Sequence, residues 1–255
     1  MLKRISVLCL AALLLLSLMP SALADRDFQI GNKVTLDNKG RAVITWTDSD
    51  KNGPYTVAHQ YETTLSNVRQ TLIRDAVDVQ GNRCAIWGVI PGKTYTFCVW
   101  DKDNKLTEKT LRVPTKPKIS SSRKSKTTLT PVYSPDGSTV KKLKTLSASA
   151  MTAKIEEGYR YGLEYRTEFY SKAKKEIKHE AVFALYAPNG FVGTNYAHDF
   201  TLPKAANKVF WYPMLGSTFF EHLLDSSGSI PEGGYKFEVY LEGQLFYTKS
   251  FTVKP

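Results

Sequence analysis

The residues best suited to catalysis or metal binding are few in this chain. It has four histidines and three cysteines, and it contains no His-Glu-x-x-His, Gly-x-Ser-x-Gly, Walker, Gly-x-Gly-x-x-Gly or Cys-x-x-Cys motif. His179 precedes Glu180 and His198 precedes Asp199, but a histidine beside an acid on a strand is usually structural. We therefore predict that the protein is not an enzyme and has no metal site and no cofactor.

Two tryptophans are the best candidates for a binding surface. Trp87 follows the apolar Ile86, and Trp100 follows Val99, so on alternating strands both indoles should point away from the core. An exposed pair of this kind is typical of a ligand or partner surface. Trp211 could also stack on a sugar, although we expect a residue of this size to fill the core.

The positive charge of the chain is concentrated in one short segment. The chain has 35 Lys+Arg and 24 Asp+Glu residues, a net charge of +11. Residues 25–113 and residues 128–255 each carry a net charge of only +2. Residues 114–127 contain no acid and five basic residues, namely Lys116, Lys118, Arg123, Lys124 and Lys126. A tract of this kind either binds an anionic polymer or lipid, or is a solvated linker extended by its own charge.

The first 24 residues have the three parts of a secretory signal peptide. Lys3 and Arg4 precede an apolar stretch from Ile5 to Met19, and Ala22-Leu23-Ala24 follows. As a helix this stretch would span about 22 Å, less than the roughly 30 Å of a bilayer core, which disfavours an uncleaved anchor. We expect cleavage after Ala24 and an exported protein of net charge +9, with no membrane span and no nucleic acid partner.

Export raises the question of a disulfide, because cleavage leaves two cysteines, Cys84 and Cys98. Phe97 and Val99 should face the core, which places Cys98 outward, whereas Cys84 shares the inward phase of Ile86. Two side chains that point to opposite faces are poorly placed for the distances and angles that a disulfide bond requires. A disulfide is therefore possible but disfavoured, and the alternative is one buried and one exposed thiol.

Residues 25–113 have the pattern of short strands separated by turns. The β-branched run from Arg41 to Thr47 is followed by the polar turn Asp48–Gly53, and Tyr95–Val99 alternates apolar and polar residues. Strands that recur every 8–12 residues predict a β-sandwich.

Five residues in this region carry a resemblance to a fibronectin type III domain that covers about ninety residues. Val89 would end one strand, Pro91-Gly92 would form the turn, and Tyr95 would form the tyrosine corner of that family. Trp46 matches its core tryptophan. The resemblance implies the two-sheet fold of that family.

Residues 128–255 return to strand patterning after the linker. Tyr159–Phe169 alternates apolar and charged residues, and Tyr235–Leu241 leads through Glu242-Gly243 into a final hairpin, loosely similar to that of bacterial surface-protein domains. In residues 140–157 the flanking strands favour a strand although a short helix is allowed, and residues 216–225 could form one or two helical turns. The predicted fold is all-β: two tandem immunoglobulin-like or fibronectin type III-like β-sandwiches, residues 25–113 and 128–255, after a signal peptide.

These features favour a non-enzymatic binding protein that is secreted or associated with the bacterial envelope. The binding residues would be Trp87, Trp100 and the basic tract, and the partner would be a protein or an anionic envelope polymer. One alternative is a carbohydrate-binding accessory module or glycan-active enzyme, with Trp211, Tyr212 and His198 around a cleft. A second alternative is a structural spacer.

Overall fold

The computed structural model describes residues 28–65, 68–115, 125–170, 177–202, 207–215 and 217–255. The predicted signal peptide and residues 116–124 of the predicted linker lie outside the described residues. Most described residues form strands, and the fold is all-β. Among the described helices, none has the length and apolar character needed to cross a membrane.

The described residues of the first sandwich form eight strands in two sheets. They are β1 (Gln29–Ile30), β2 (Thr35–Leu36), β3 (Ala42–Thr47), β4 (Tyr55–Leu65), β5 (Val68–Val79), β6 (Arg83–Ile86), β7 (Thr94–Trp100) and β8 (Leu106–Arg112). In one sheet β3 lies between β1 and β2 and also pairs with β6, and the other sheet has the order β5-β4-β7-β8. One apolar core joins the two sheets, because Trp46 from the first and Phe97 from the second belong to the same buried cluster.

Trp46 and Tyr95, two of the residues behind the fibronectin type III resemblance, occupy the positions that it implies, whereas Val89 lies three residues beyond the end of β6 and does not end a strand. Trp46 is 2% exposed and its ring meets Tyr55 edge to face at 5.2 Å. The Tyr95 hydroxyl accepts a hydrogen bond of 2.8 Å from the backbone N–H of Ile90, which closes the turn before β7. A tyrosine hydroxyl bonded back to the chain just upstream is the geometry of a tyrosine corner.

The described residues of the second sandwich form nine strands and two helices. The strands are β9 (Ser125–Ser134), β10 (Lys141–Lys142), β11 (Leu146–Ser147), β12 (Arg160–Tyr170), β13 (Ile177–Ala187), β14 (Gly190–Leu202), β15 (Asn207–Leu215), β16 (Gly233–Leu241) and β17 (Gln244–Lys254), and the helices are α1 (Ala148–Glu156) and α2 (Ser217–Ser227). Its sheets have the orders β10-β9-β12-β15 and β11-β17-β16-β13-β14. The series β9-β12-β15 and β17-β16-β13-β14 repeats the series β1-β3-β6 and β8-β7-β4-β5 of the first sandwich. Both sandwiches therefore share one strand topology.

The alternation predicted for β12 is confirmed. Tyr161, Leu163 and Tyr165 are buried, whereas Arg160 and Arg166 are exposed. The strand favoured for residues 140–157 is wrong for 148–156, which form α1. Ser147 caps this helix with its side chain, and Met151 anchors it in the core.

The second helix is longer than the sequence predicts. One or two helical turns are expected in residues 216–225, whereas residues 217–227 form α2, which has about three turns. Its apolar side chains Phe219, Phe220 and Leu223 are all buried in the core of the second sandwich. This apolar face extends the helix, because packing rather than propensity stabilises most short helices.

A short internal repeat marks the equivalent turn in each sandwich. The pattern Ile-Pro-x-x-x-Tyr-x-Phe-x-Val spans residues 90–99 and again residues 230–239. In the second copy the Tyr235 hydroxyl donates a hydrogen bond of 2.7 Å to the Pro231 carbonyl. The second sandwich therefore has its own tyrosine corner. The pattern signals this corner in the sequence, and reasoning from strand alternation alone missed it.

Candidate binding surfaces

Trp100 ends β7 and lies directly opposite Leu106, the first residue of β8. Trp100 is half-buried, whereas Leu106 is 45% exposed. Among the residues whose side chains the structure describes, Leu106 is the only exposed large hydrophobic one. We refer to Trp100 and Leu106 as the distal patch.

The turn between β7 and β8 holds the distal patch in place. The Asp101 side chain accepts hydrogen bonds from the backbone N–H groups of Asp103 (2.9 Å) and Lys105 (2.8 Å). It also accepts one of 3.2 Å from the Asn52 side chain. Asp101 is only 8% exposed, and these bonds satisfy its buried carboxylate. The turn therefore fixes the spacing between Trp100 and Leu106.

The neighbouring loop, residues 48–54, is tied down by Asp48. Its carboxylate accepts hydrogen bonds from the Tyr55 hydroxyl (2.7 Å) and the Asn52 backbone N–H (2.8 Å). Burial acts to raise the pKa of Asp48, but these hydrogen bonds outweigh it and hold the pKa below its usual value. Burial and the same carboxylate raise the pKa of Tyr55 to about 12. This end of the first sandwich is thus braced by side chains on both loops.

Trp87 occupies a different place from Trp100. It follows β6 in the other sheet of the first sandwich, so the structure does not bring the two tryptophans together. It is half-buried, with the Arg41 guanidinium 4.7 Å and the Lys39 ammonium 5.9 Å from its ring. Lys39 also meets Glu180 of the second sandwich at 3.4 Å. Trp87 therefore lies beside the junction between the sandwiches.

The predicted basic tract is shorter than the sequence suggests. Lys126 belongs to β9, where it pairs in register with Glu168 on β12, and β9 begins at Ser125. Its charge thus faces an acidic cross-strand neighbour. The other four basic residues of the tract, Lys116, Lys118, Arg123 and Lys124, lie outside the described residues.

Both cysteines are free thiols, and the exposure expected for Cys98 is wrong. Cys84 is 6% exposed and Cys98 is 0% exposed. Burial raises the pKa of Cys84, and burial with the nearby Glu108 carboxylate raises the pKa of Cys98 to about 11. Strand parity assigns Cys98 to the outward face, but it does not tell whether that face is covered. Neither thiol is activated at neutral pH.

The backbone brings the two pairs considered for catalysis onto neighbouring strands: His179-Glu180 lies in β13 and His198-Asp199 in β14, with His179 opposite Phe200 and Ala181 opposite Ala197. The side chains of His179, His198 and Asp199 lie outside the described residues. Among the described residues, no group of three or more His, Cys, Asp or Glu is placed to hold a metal ion. His59 is buried, with its ring 5.2 Å from that of Tyr95. The backbone places His198 in β14 and Trp211 and Tyr212 in β15, which belong to different sheets, and the side chains of all three lie outside the described residues.

The largest unforeseen feature is an apolar contact between the two sandwiches. Ile90 of the first sandwich packs with Val182, Ala184 and Tyr240, which lie on the face of β13 and β16 that points away from the core of the second sandwich. All four are at most 9% exposed. We call this contact the seam. On the first sandwich it consists of segment 87–93 and the turn 37–41. These pack against β13, β14, β16 and the turn at residues 242–243 of the second sandwich.

Charged and aromatic groups surround this apolar contact. The Lys93 ammonium lies 4.9 Å from the Tyr186 ring and 4.4 Å from the Phe191 ring. The Lys236 ammonium lies 4.1 Å from the same Tyr186 ring and 2.9 Å from the Glu238 carboxylate. Burial lowers the pKa of Lys93, so the ammonium is partly withdrawn from water at the seam.

Backbone contacts bring the sandwiches closer than side chains would allow. The Thr194 hydroxyl donates a buried hydrogen bond of 3.1 Å to the Gly88 carbonyl. Gly40 has a φ of +83°, and a β-carbon added there would lie 2.1 Å from the backbone nitrogen of Gly243. Only glycine fits at such a contact. The two sandwiches therefore meet backbone to backbone at turn 37–41.

The sequence does carry a signal for the seam. Residues 181–187 of β13 form a run in which Tyr186 is the one side chain with a polar group. Runs without alternation are typical of strands covered on both faces. The second face is the one that the first sandwich covers.

Comparisons with known proteins give weak similarities. No protein-family model matches the chain, and no curated protein matches it. Among solved structures it is similar to Pseudomonas fluorescens alkylpurine DNA glycosylase AlkC bound to DNA containing an abasic site analogue (13% identity, TM-score 0.26, 36% of this chain and 26% of that chain). It is also similar to the chicken interferon gamma receptor alpha chain (10%, 0.24, 91% and 100%) and to the FN1–FN3 domains of chicken CNTN1 (9%, 0.22, 90% and 67%). At these TM-scores the similarities carry no conclusion about function.

Proposed function

We propose that this protein is an exported, non-enzymatic binding protein whose partner is an acidic protein that docks on the distal patch. The observation that carries the proposal is the exposure of Leu106 directly opposite Trp100. An exposed aliphatic side chain beside a half-buried, pre-positioned indole provides apolar contact area at little entropic cost.

The position of the distal patch supports this role. β7 runs from the seam to Trp100, and its seven residues place the patch about 20 Å from the seam. The seam covers the opposite end of the first sandwich, whereas the distal patch lies at the end that the second sandwich leaves free. A partner can therefore approach it without displacing the second sandwich.

The chemistry of the patch and the charge of the chain define the partner. Leu106 and Trp100 provide contact area without charge, which favours an apolar protein surface over a polyanion. Lys116, Lys118, Arg123 and Lys124 add a positive field that steers an acidic partner toward this protein. The proposal places the partner in the envelope or the extracellular space.

Leu106→Asp is expected to weaken partner capture by about 30-fold or more, equivalent to roughly 2 kcal/mol, because a carboxylate would be buried against an apolar partner surface. The measurement is quantitative capture from native envelope and culture medium on the immobilised mature chain. Thr128→Asp is the matched control, since Thr128 is exposed on a strand of the second sandwich and gains the same charge.

Three outcomes decide this experiment. Loss of the same captured protein with Leu106→Asp, but not with Thr128→Asp, supports docking on the distal patch. Equal capture by both variants contradicts it. Undiminished binding to protease-treated envelopes would show that the ligand is a polymer or glycan rather than a protein, and would also overturn the proposal.

The steering role of the linker has a separate test. In the wild type, association should slow about tenfold or more between about 50 and about 500 mM salt, because salt screens the field of the basic residues. Changing Lys116, Lys118, Arg123 and Lys124 to serine should flatten this dependence. The control variant changes Lys144, Arg160, Lys249 and Lys254, four exposed basic residues of the second sandwich, to serine. Identical salt slopes for the two variants would rule out a specific role for the linker.

A further inference from the structure

We propose that the seam is a conformational lock, which holds the two sandwiches as one rigid body and on which the second sandwich depends for its stability. The inference goes beyond partner binding and rests on different residues. A failure of the lock would leave the proposed role of the distal patch untouched, and the reverse also holds.

The first argument is the cost of separating the sandwiches. Undocking would expose Val182, Ala184 and Tyr240 together on the outer face of β13 and β16, next to Tyr186 and Leu245. A contiguous apolar surface of this kind is rare on a soluble monomer. The second sandwich therefore gains stability from docking that it could not obtain alone.

The second argument is the polar complementarity of the seam. The Lys93 ammonium of the first sandwich lies over the Tyr186 and Phe191 rings of the second. The Thr194 hydroxyl donates a hydrogen bond to the Gly88 carbonyl inside the contact. At its rim, Lys39 meets Glu180 at 3.4 Å. These interactions come from two separate segments of the first sandwich, 87–93 and the turn 37–41, so they fix rotation as well as distance.

The third argument is the backbone contact at Gly40. A flexible tether between domains needs no such fit, whereas a single fixed orientation does. The contact with Gly243 and Glu242 involves only backbone atoms, the nearest 2.1 Å from the position of an added β-carbon, and these cannot move aside as a side chain can. Gly40 thus permits docking in this one orientation.

The test compares Gly40→Ala with Gly137→Ala in the mature chain. Both glycines have similar φ values, +83° and +76°, so alanine suffers the same local strain at each, but no atom lies within 4 Å of a β-carbon at Gly137. We expect Gly40→Ala to lower the melting temperature by roughly 5 °C more than Gly137→Ala. It should also enlarge the radius of gyration measured by small-angle X-ray scattering.

Hydrogen exchange separates undocking from misfolding of the first sandwich. With Gly40→Ala, amides of β13 and β16 should exchange at least about tenfold faster, while those of β3 and β7 stay protected. Val182→Asp attacks the seam from the second sandwich and should give the same expansion. Wild-type scattering that fits two independently moving domains would overturn the lock, as would unchanged scattering and exchange in both variants.

Discussion

Phe97→Ala and Phe237→Ala should each destabilise the protein by about 3–5 kcal/mol, the largest effects expected from any single substitution in the two cores. Both rings are 0% exposed. They occupy the same position of the repeated Ile-Pro-x-x-x-Tyr-x-Phe-x-Val pattern, one in β7 and one in β16. Alanine would leave a cavity that rigid neighbouring strands cannot close.

Differential scanning calorimetry checks this expectation. At about 2–4 °C per kcal/mol for a chain of this length, either variant should melt roughly 10 °C lower. If the sandwiches unfold together, the wild type has one transition and each substitution moves all of it. Leu106→Ala on the neighbouring edge strand is the control and should change stability by no more than about 0.5 kcal/mol. A shift below about 1 kcal/mol for Phe97 or Phe237 would contradict the buried positions assigned to them.

Local patterns predict the parts of this fold that local interactions determine. The alternation of Tyr161, Leu163 and Tyr165 requires only that one face of β12 be apolar, and period two is visible in the sequence. The corner at Tyr95 is equally local, because its hydroxyl reaches a residue only five positions upstream. Such features depend on neighbours in the chain.

The apolar run 181–187 marks β13 as covered on both faces, but no local pattern records what covers the outer face at the seam or over Cys98. Parity assigns Val182 and Cys98 to the outward faces of their strands, and both are nevertheless buried. Whether a second sandwich or a neighbouring side chain covers such a face is decided by long-range packing. For the same reason Trp87, assigned to a free surface, lies beside the junction. Of the two tryptophans predicted to bind, Trp100 is the one that lies away from the seam.

Glu238→Gln is expected to cost about 2 kcal/mol at neutral pH, because it removes a carboxylate that accepts charge-assisted hydrogen bonds at the seam. Glu238 is 8% exposed, lies 2.9 Å from the Lys236 ammonium and accepts a hydrogen bond of 2.8 Å from the Tyr240 hydroxyl. The amide keeps the shape of the side chain and loses its charge. Lys236 and Lys93 would then repel each other across Tyr186 without a compensating anion.

The difference in unfolding free energy between the wild type and Glu238→Gln should depend on pH. Burial acts to raise the pKa of Glu238, but the hydrogen bonds from Lys236 and Tyr240 and the Lys236 charge outweigh burial, so the pKa lies below its usual value of 4.5. A carboxyl group with a lowered pKa in the folded state stabilises the protein above its unfolded pKa, and this contribution is lost as the pH falls through the folded pKa. The difference in unfolding free energy between the wild type and Glu238→Gln should therefore be full above about pH 4.5 and shrink below it.

Urea unfolding of both proteins between about pH 7 and about pH 3 measures this difference. Other carboxyl groups, such as those of Asp37 and Asp48, titrate in the same window and cancel in the comparison. Glu232→Gln, at an exposed position in the loop before β16, is the matched control and should follow the wild type at every pH. A difference that stayed constant down to the lowest pH would mean that the Glu238 charge does not stabilise the seam, and that its side chain contributes only by packing.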